Sequence, residues 1–146
     1  MLQIRTIVHP TDFSEPSQAA WELACALARD YSARLLIVHV YSPPPVYAPD
    51  GIAIPFPQEE PAALRARLAE LRPSDQRIAC EHFLLEGDPA EKILELAQKE
   101  HADLIVMGTH GTTGLARLLV GSVAESVLRK APCPVLTVRA TVAAQT

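Results

Sequence analysis

A spaced set of glycines carries the most distinctive chemistry in this chain of 146 residues. Gly108 and Gly111 are followed, after nine residues, by Gly121 and Ser122. Glycine lets a backbone approach a ligand closely and adopt a positive φ. The cluster directly follows the apolar run 104–107 and opens a helical pattern, and a helix start offers unpaired N–H groups and a partial positive charge. These residue types at this junction predict a phosphate-binding loop.

The spacing differs from those of two common phosphate-binding motifs. No Gly-Lys-Ser or Gly-Lys-Thr follows, as a P-loop requires, and the fingerprint G-x-G-x-x-G belongs after a first strand. Without a P-loop lysine, the charge of bound phosphates must be neutralised by backbone dipoles, a metal ion or Arg117. Efficient hydrolysis of a nucleotide is therefore not expected.

Ser122 also has an interpretation that needs no ligand. The segment Ser122-Val-Ala-Glu125 fits a capping box, in which the serine is the N-cap and the glutamate lies three residues later. Such a cap contributes about 1 kcal/mol. The sequence leaves both roles open for Ser122, as helix cap and as phosphate ligand, and the two can occur in different states.

Apolar and helical patterns alternate along the chain and must position this loop. Strands are predicted at 5–9, 34–40, 80–86, 104–107 and 135–138, and helices at 14–31, about 64–71, 88–101 and 122–130. Nearly continuous apolar strands alternating with helices indicate an α/β fold: a single doubly wound, five-stranded parallel sheet with helices on both faces, a Rossmann-like architecture. Right-handed crossovers restrict the strand order, and we predict 3-2-1-4-5.

The pattern predicts one domain over residues 1–140 and a frayed tail at 141–146. The stretch 41–61 holds seven of the thirteen prolines, so it is expected to be a loop within this domain. That loop either shapes a lid near the end of the second strand or merely bridges a gap.

The predicted strand order brings the loop after strand one next to the glycine cluster. Ligands of doubly wound sheets bind where the winding reverses, here between strands one and four. The loop after strand one contains Asp12, so we predict a nucleotide whose phosphates contact the glycine loop and whose ribose hydroxyls contact Asp12. Taken alone, Asp12 would more often be a cap for the helix at Ser14.

Composition excludes several classes of function. A net charge of −4 and a pI near 5.7, without a basic cluster, argue against nucleic acid as a partner. No apolar run approaches the roughly 20 residues that span a bilayer, and no signal pattern is expected at the N-terminus. Three widely spaced cysteines predict free, packed thiols in a reducing cytoplasm rather than disulfides or a metal site.

The histidines and Cys133 have structural interpretations. His9 and His39 fall on buried strands and are expected to be hydrogen-bonded core side chains, whereas His82 and His101 have no partner at ligand spacing. His110 is either a phosphate contact or a solvent-facing loop residue. Cys133 has no neighbouring cysteine or cation and is assigned to packing.

The sequence resembles the universal stress protein family over nearly its whole length. Four blocks carry the resemblance: Ile7–Ser14, Leu35–Val40, Ala102–Gly111 with Gly121–Glu125, and Ala131–Val138. The ATP-binding branch of that family is marked by G-x2-G-x9-G-(S/T), which Gly108, Gly111, Gly121 and Ser122 match in full. Each block alone is a weak signal, whereas the four in this order are specific.

The resemblance implies a small cytoplasmic protein that binds ATP, with Mg²⁺ carried by the phosphates and no metal ligand from side chains. Asp12 would contact the ribose or adenine side, and Val40 would face the adenine. Ala124 departs from the family, whose ATP-binding members often carry a hydroxyl residue there, so one phosphate contact is expected to be missing. The residues expected at the nucleotide are Pro10, Thr11, Asp12, Val40, Met107, Gly108, His110, Gly111, Gly121, Ser122 and Val123.

A homodimer is expected through the fifth strand, Val135–Val138, which would otherwise expose an unprotected sheet edge. The alternative is that the tail from Thr141 covers this edge. The function predicted is a non-enzymatic, ATP-binding regulator of a stress response. A slow ATPase or self-phosphorylating enzyme and a nucleotide-free dimeric interaction module are the alternatives, since no well-placed general base occurs among the motif residues.

Overall fold

Five parallel strands alternate with four helices over the described residues, which in this computed structural model are 2–41, 48–52, 60–109 and 121–139. Every predicted strand and helix is present, with ends that differ by a few residues at most. The elements in chain order are β1 (Thr6–Pro10), α1 (Glu15–Tyr31), β2 (Arg34–Tyr41), α2 (Pro61–Ala69), β3 (Cys80–Glu86), α3 (Pro89–Lys99), β4 (Leu104–Gly108), α4 (Ser122–Lys130) and β5 (Val135–Val138).

The strands form one sheet in the order β3-β2-β1-β4-β5, which confirms the predicted fold. All four pairings are parallel, and β1 lies between β2 and β4, so the winding reverses at β1 and β4. Most of the loop 41–61 and all of the proposed tail 141–146 lie outside the described residues. The domain boundary at 140 therefore stays a prediction.

Each face of the sheet has its own apolar core, which explains why the central strands are apolar throughout. Alternate residues of β1, β2 and β4 pack under α1 and α2 on one face and under α3 and α4 on the other. The first core includes Ala20, Ala24 and Ala28 of α1, whose small side chains let that helix lie close to the strands. The second includes Ile93 of α3 and Val127 of α4.

The starts of α1 and α3 follow the capping signals of the sequence, whereas α2 and α4 begin without a side-chain cap. Ser14 caps α1 by accepting a hydrogen bond from the N–H of Ser17, and Asp88 caps α3 by accepting from that of Glu91 at 2.9 Å. The helix α3 ends at Lys99 rather than at the predicted His101. His101 has a φ of 53°, in the left-handed region, and this conformation ends the helix.

His9 is a buried polar residue in the middle of the sheet, as predicted. Its Nδ1 donates to the carbonyl oxygen of Val106 at 2.9 Å, and because a carbonyl only accepts, this bond fixes the tautomer. Nε2 is therefore unprotonated in the neutral ring, and it has no hydrogen-bond partner. The ring of Trp21 lies 5.7 Å away between centroids. Burial lowers the pKa of His9 from 6.5 to about 4, against smaller raising effects of the Val106 bond and of Asp12.

We expect His9 to make the protein less stable as the pH falls from 6.5 to 4. The unfolded chain takes up a proton on this side chain near pH 6.5, whereas the folded chain does so near pH 4. Between these two pH values the unfolded state binds more protons than the folded state. The free energy of unfolding therefore decreases as the pH is lowered, by about 3 kcal/mol between pH 6.5 and pH 4. Urea unfolding at several pH values measures this loss.

His9→Leu supplies the comparison, because it removes the titrating group while keeping an apolar side chain in the core. Its free energy of unfolding should depend less on pH between 6.5 and 4 than that of the parent protein. Equal slopes in the two proteins would contradict the assignment to His9.

Candidate functional site

A cavity of about 290 Å³ opens at the carboxyl ends of β1, β2 and β4, where the winding of the sheet reverses. It lies between the β1–α1 loop and the first turns of α3 and α4. His110 and Gly111 lie outside the described residues. The cavity is lined by every other residue predicted for the site, namely Pro10, Thr11, Asp12, Val40, Met107, Gly108, Gly121, Ser122 and Val123.

A larger depression, of about 640 Å³, lies between α3 and α4 away from the strand ends. Polar and charged side chains such as Glu91, Lys99 and Lys130 line it, and it includes none of the predicted site residues. The cavity at the strand ends is therefore the better candidate, because it lies where the winding of the sheet reverses and is lined by the residues predicted for the site.

Several residues that line this cavity are not among those predicted from the sequence. Pro89 and Ile93 enter it from the first turns of α3, because that helix follows β3 and packs on the neighbouring strand β2. The sequence does contain a signal for their location: Asp88 and Pro89 mark the start of α3 directly after β3, the strand that pairs with β2. The other lining residues that were not predicted are Ser17, Val38, His39 and Thr109, whereas Ala124 lines the cavity at the position where a phosphate contact is expected to be missing.

Asp12 is tied into the start of α1. Its Oδ1 accepts hydrogen bonds from the Ser14 N–H at 3.0 Å, from the Ser17 hydroxyl at 2.6 Å and from the Ser14 hydroxyl. The N-cap itself is Ser14, so Asp12 braces the cap rather than serving as one. Oδ2 has no partner within the part of the chain that the structure describes, which leaves one carboxylate oxygen for a ligand.

The turn that carries Asp12 is held in an unusual conformation by Phe13, whose φ is 65°. A bulky residue rarely adopts this left-handed conformation, and several contacts hold it here. Its N–H donates to the Thr11 hydroxyl at 3.0 Å, its ring lies 4.7 Å from that of His39, and the Arg67 guanidinium carbon lies 4.2 Å from its centroid. His39 Nδ1 in turn donates to the Thr11 carbonyl oxygen at 2.7 Å, so the turn is fixed on both sides.

Gly108 is required by packing rather than by a positive φ. A Cβ at this position would lie 2.7 Å from the carbonyl carbon of Pro16 and 2.8 Å from its Cβ, in the first turn of α1. Among the described glycines, positive φ occurs only at Gly51 and Gly87, and Gly121 has a φ of −59°. Neither Gly108 nor Gly121 therefore uses the positive φ that glycine permits.

Of the two roles that the sequence leaves open for Ser122, the structure does not contain the helix cap. Gly121 is the N-cap, no side chain caps the helix, and Ser122 is the first helical residue. The cause is a 2.6 Å hydrogen bond from the Gly121 N–H to the carbonyl oxygen of Thr109, which holds Gly121 extended at the end of β4. The helix consequently begins one residue earlier than a Ser122 cap requires, with Ser122 itself as the first helical residue.

This arrangement leaves backbone N–H groups without intrahelical acceptors at the start of α4. The first intrahelical hydrogen bond runs from the Glu125 N–H to the Gly121 carbonyl oxygen at 2.9 Å. The N–H groups of Ser122, Val123 and Ala124 therefore have no intrahelical acceptor. Within the described lining no lysine or arginine occurs, so the helix end is the positive element of the cavity. Arg117 lies outside the described residues.

The other candidate residues have local structural partners. His82 Nε2 donates to the Leu71 carbonyl oxygen at 2.8 Å. The three cysteines are half-buried and free, and burial raises the pKa of the Cys25 thiol to about 12 and the pKa values of Cys80 and Cys133 above their ordinary range. Cys133 packs against the core under α3 and α4. Across the described ranges, no group of three or more His, Cys, Asp or Glu side chains could hold a metal.

None of the described helices combines the length and the apolar character needed to cross a membrane.

Comparison with known proteins identifies the family. The model of the universal stress protein family matches residues 3–139. A universal stress protein of Thermus aquaticus, from the QAH/OAS sulfhydrylase 3′ region, is 39% identical over 92% of this chain and 98% of its own length.

Two solved structures show the same similarity. The universal stress protein UspA from Lactobacillus plantarum superposes with a TM-score of 0.76 at 26% identity, over 95% of this chain and all of that one. A universal stress protein in complex with cAMP superposes with a TM-score of 0.70 at 28% identity, over 96% of this chain and all of that one. The chain therefore belongs to the universal stress protein family.

Proposed function

We propose that this universal stress protein binds ATP in the cavity at the ends of β1 and β4 and acts as a nucleotide-dependent regulator in a stress response. One observation carries the proposal. All the described residues predicted for a nucleotide, which come from the β1–α1 loop, the ends of β2 and β4 and the start of α4 and are far apart in sequence, line the same cavity. A structural relative in complex with cAMP supports an adenine nucleotide as the ligand class.

The two sides of the cavity match the two ends of a nucleotide. The free N–H groups of the first turn of α4, with the Ser122 hydroxyl, suit phosphate oxygens. Val40 and Ile93 supply apolar surface for a base, and Asp12 Oδ2 suits a ribose hydroxyl. Since the described lining contains one carboxylate and no cation, Mg²⁺ would enter on the phosphates and neutralise their charge there.

A regulator suits the geometry better than an efficient hydrolase. Phosphate hydrolysis needs a group that orients or deprotonates the attacking water, besides charge stabilisation. Asp12, the one acidic side chain in the described lining, is committed through Oδ1 to the start of α1. The free, half-buried thiols are in keeping with a reducing cytoplasm as the place of action.

We further propose that the protein is a homodimer joined through β5, which is an edge strand of the sheet. Leu136 on β5 is exposed at 38%, which leaves apolar surface at this edge. The N–H of Ile105 donates to the Pro134 carbonyl oxygen and that of Thr109 to the Val138 carbonyl oxygen. Even-numbered residues of β5 thus face β4, and the backbone groups of Val135 and Thr137 face outward.

Excess Mg-ATP is expected to raise the Tm of the purified protein by several degrees, since ligand at 100 times its Kd adds about 2.7 kcal/mol. Gly121→Val should abolish the rise. With φ −59° and ψ 157°, Gly121 has a backbone that any residue adopts, so the variant should fold, while its side chain would occupy space at the cavity wall. Gly121→Ala is the graded control and should reduce the rise less.

A protein that purifies without nucleotide and shows no rise in Tm would overturn ATP binding and favour the interaction module. Release of radiolabelled phosphate from ATP by the same preparation distinguishes the regulator from a slow ATPase. Sustained turnover that is lost in Gly121→Val would favour the enzyme.

Thr137→Pro is expected to convert the dimer to a monomer in light scattering after gel filtration. The substitution removes an N–H that points away from β4, so the strand pairing within the protomer is kept while pairing between two β5 strands is blocked. Thr137→Val, which retains the N–H, should remain dimeric. A parent protein that is monomeric, or a Thr137→Pro variant that stays dimeric, would exclude this interface.

A further inference from the structure

Thr109 follows directly after β4, and its backbone is fully bonded while its hydroxyl is not. The N–H donates to the Val138 carbonyl oxygen at 3.1 Å, and the carbonyl oxygen accepts from the Gly121 N–H at 2.6 Å. The residue is 6% exposed and lines the cavity. Its Oγ1 is shielded from solvent and has no hydrogen-bond partner. A buried hydroxyl in this state is unfavourable and needs an explanation.

The other buried hydroxyls among the described residues have partners. Thr6 Oγ1 accepts from Arg34 Nε at 3.0 Å, Thr11 Oγ1 accepts from the Phe13 N–H at 3.0 Å, and Ser17 Oγ donates to Asp12 at 2.6 Å. Thr109 is therefore the exception, and it is also the buried hydroxyl residue beside the start of α4.

The position of Thr109 on the sheet directs its side chain toward the phosphate side of the cavity. Side chains alternate along a strand, and Ile105 and Met107 belong to the core under α3 and α4. Thr109 continues this series and lies beside Gly121, where the free N–H groups of α4 begin. Ala124, in the same first turn, is 2% exposed and brings no hydroxyl to the cavity.

We propose that the Thr109 hydroxyl binds the ligand's phosphate, and that it lacks a partner because its partner arrives with the ligand. Rotation about χ1 exchanges Oγ1 and the methyl group, which brings the hydroxyl from its shielded position to the cavity. It then donates to a non-bridging phosphate oxygen held at the first turn of α4, a second hydroxyl contact beside Ser122. The inference rests on the proposed nucleotide function and names one residue that sets affinity at that site.

Thr109→Val tests the proposal, because valine keeps the shape of threonine and removes only the hydroxyl. Two effects of opposite sign are expected. Without ligand the variant should melt about 2–6 °C higher than the parent, since an unpaired buried hydroxyl is gone. The same variant should bind Mg-ATP roughly 10- to 100-fold more weakly, as measured by calorimetry, since a hydrogen bond to a charged group is lost.

Three controls separate this role from a structural one. Thr6→Val removes an equally buried hydroxyl that is paired with Arg34, so this variant should melt lower than the parent and bind Mg-ATP unchanged. Thr109→Ser keeps the hydroxyl and should bind Mg-ATP like the parent. Adenosine, which has no phosphate, should bind Thr109→Val and the parent equally.

The outcomes distinguish this inference from the proposed function. Parent protein that binds neither Mg-ATP nor adenosine overturns the nucleotide function and the phosphate contact together. Parent protein that binds Mg-ATP, with Thr109→Val binding it equally, overturns the Thr109 contact alone. An equal loss for adenosine and Mg-ATP would assign the hydroxyl to the nucleoside and overturn the phosphate contact.

Discussion

The close approach of α1 to the end of β4 is the constraint on which the cavity depends. The first turn of the helix can lie there only because Gly108 has no side chain to meet the backbone of Pro16. This contact sets the distance between the β1–α1 loop and the β4–α4 junction, which form opposite walls of the cavity. An alanine at position 108 would force the two elements apart, since the nearest atoms belong to backbone that cannot rotate away.

The two walls are built by different means. On the β1 side, hydrogen bonds among Asp12, Ser14 and Ser17 fix the turn, and the contacts of Phe13 hold its left-handed backbone. On the β4 side, the bond between Gly121 and Thr109 fixes the start of α4 and leaves the next N–H groups free. Among the described residues, the first wall therefore keeps a free acceptor, the negatively charged carboxylate oxygen Oδ2 of Asp12, whereas the second keeps free N–H donors at the positive end of a helix. This asymmetry is the physical reason to assign the anionic end of a ligand to α4.

Patterns of local origin were predictable from the sequence. The strands, the strand order and the cap at Asp88 all follow from apolar periodicity, crossover handedness and residues adjacent in the chain. The spacing of the motif glycines is visible in the sequence, but the helix contact that requires Gly108 is not, because its neighbour Pro16 is distant in sequence. The cap at Ser122 does not form for the same cause, since a backbone hydrogen bond from the Gly121 N–H to the Thr109 carbonyl oxygen outweighs the local cap signal. Pro89 and Ile93 were missed because they reach the cavity only through the packing of α3 on β2.

The bond between the Thr109 N–H and the Val138 carbonyl oxygen has a structural consequence. The residue that forms part of the cavity wall is also the last rung joining β4 to the edge strand. A chain that paired with the outer side of β5 would therefore lie one strand away from a residue of the cavity wall. The peptide unit of Thr109 is thus shared by the cavity wall and by the hydrogen bonds of the edge strand.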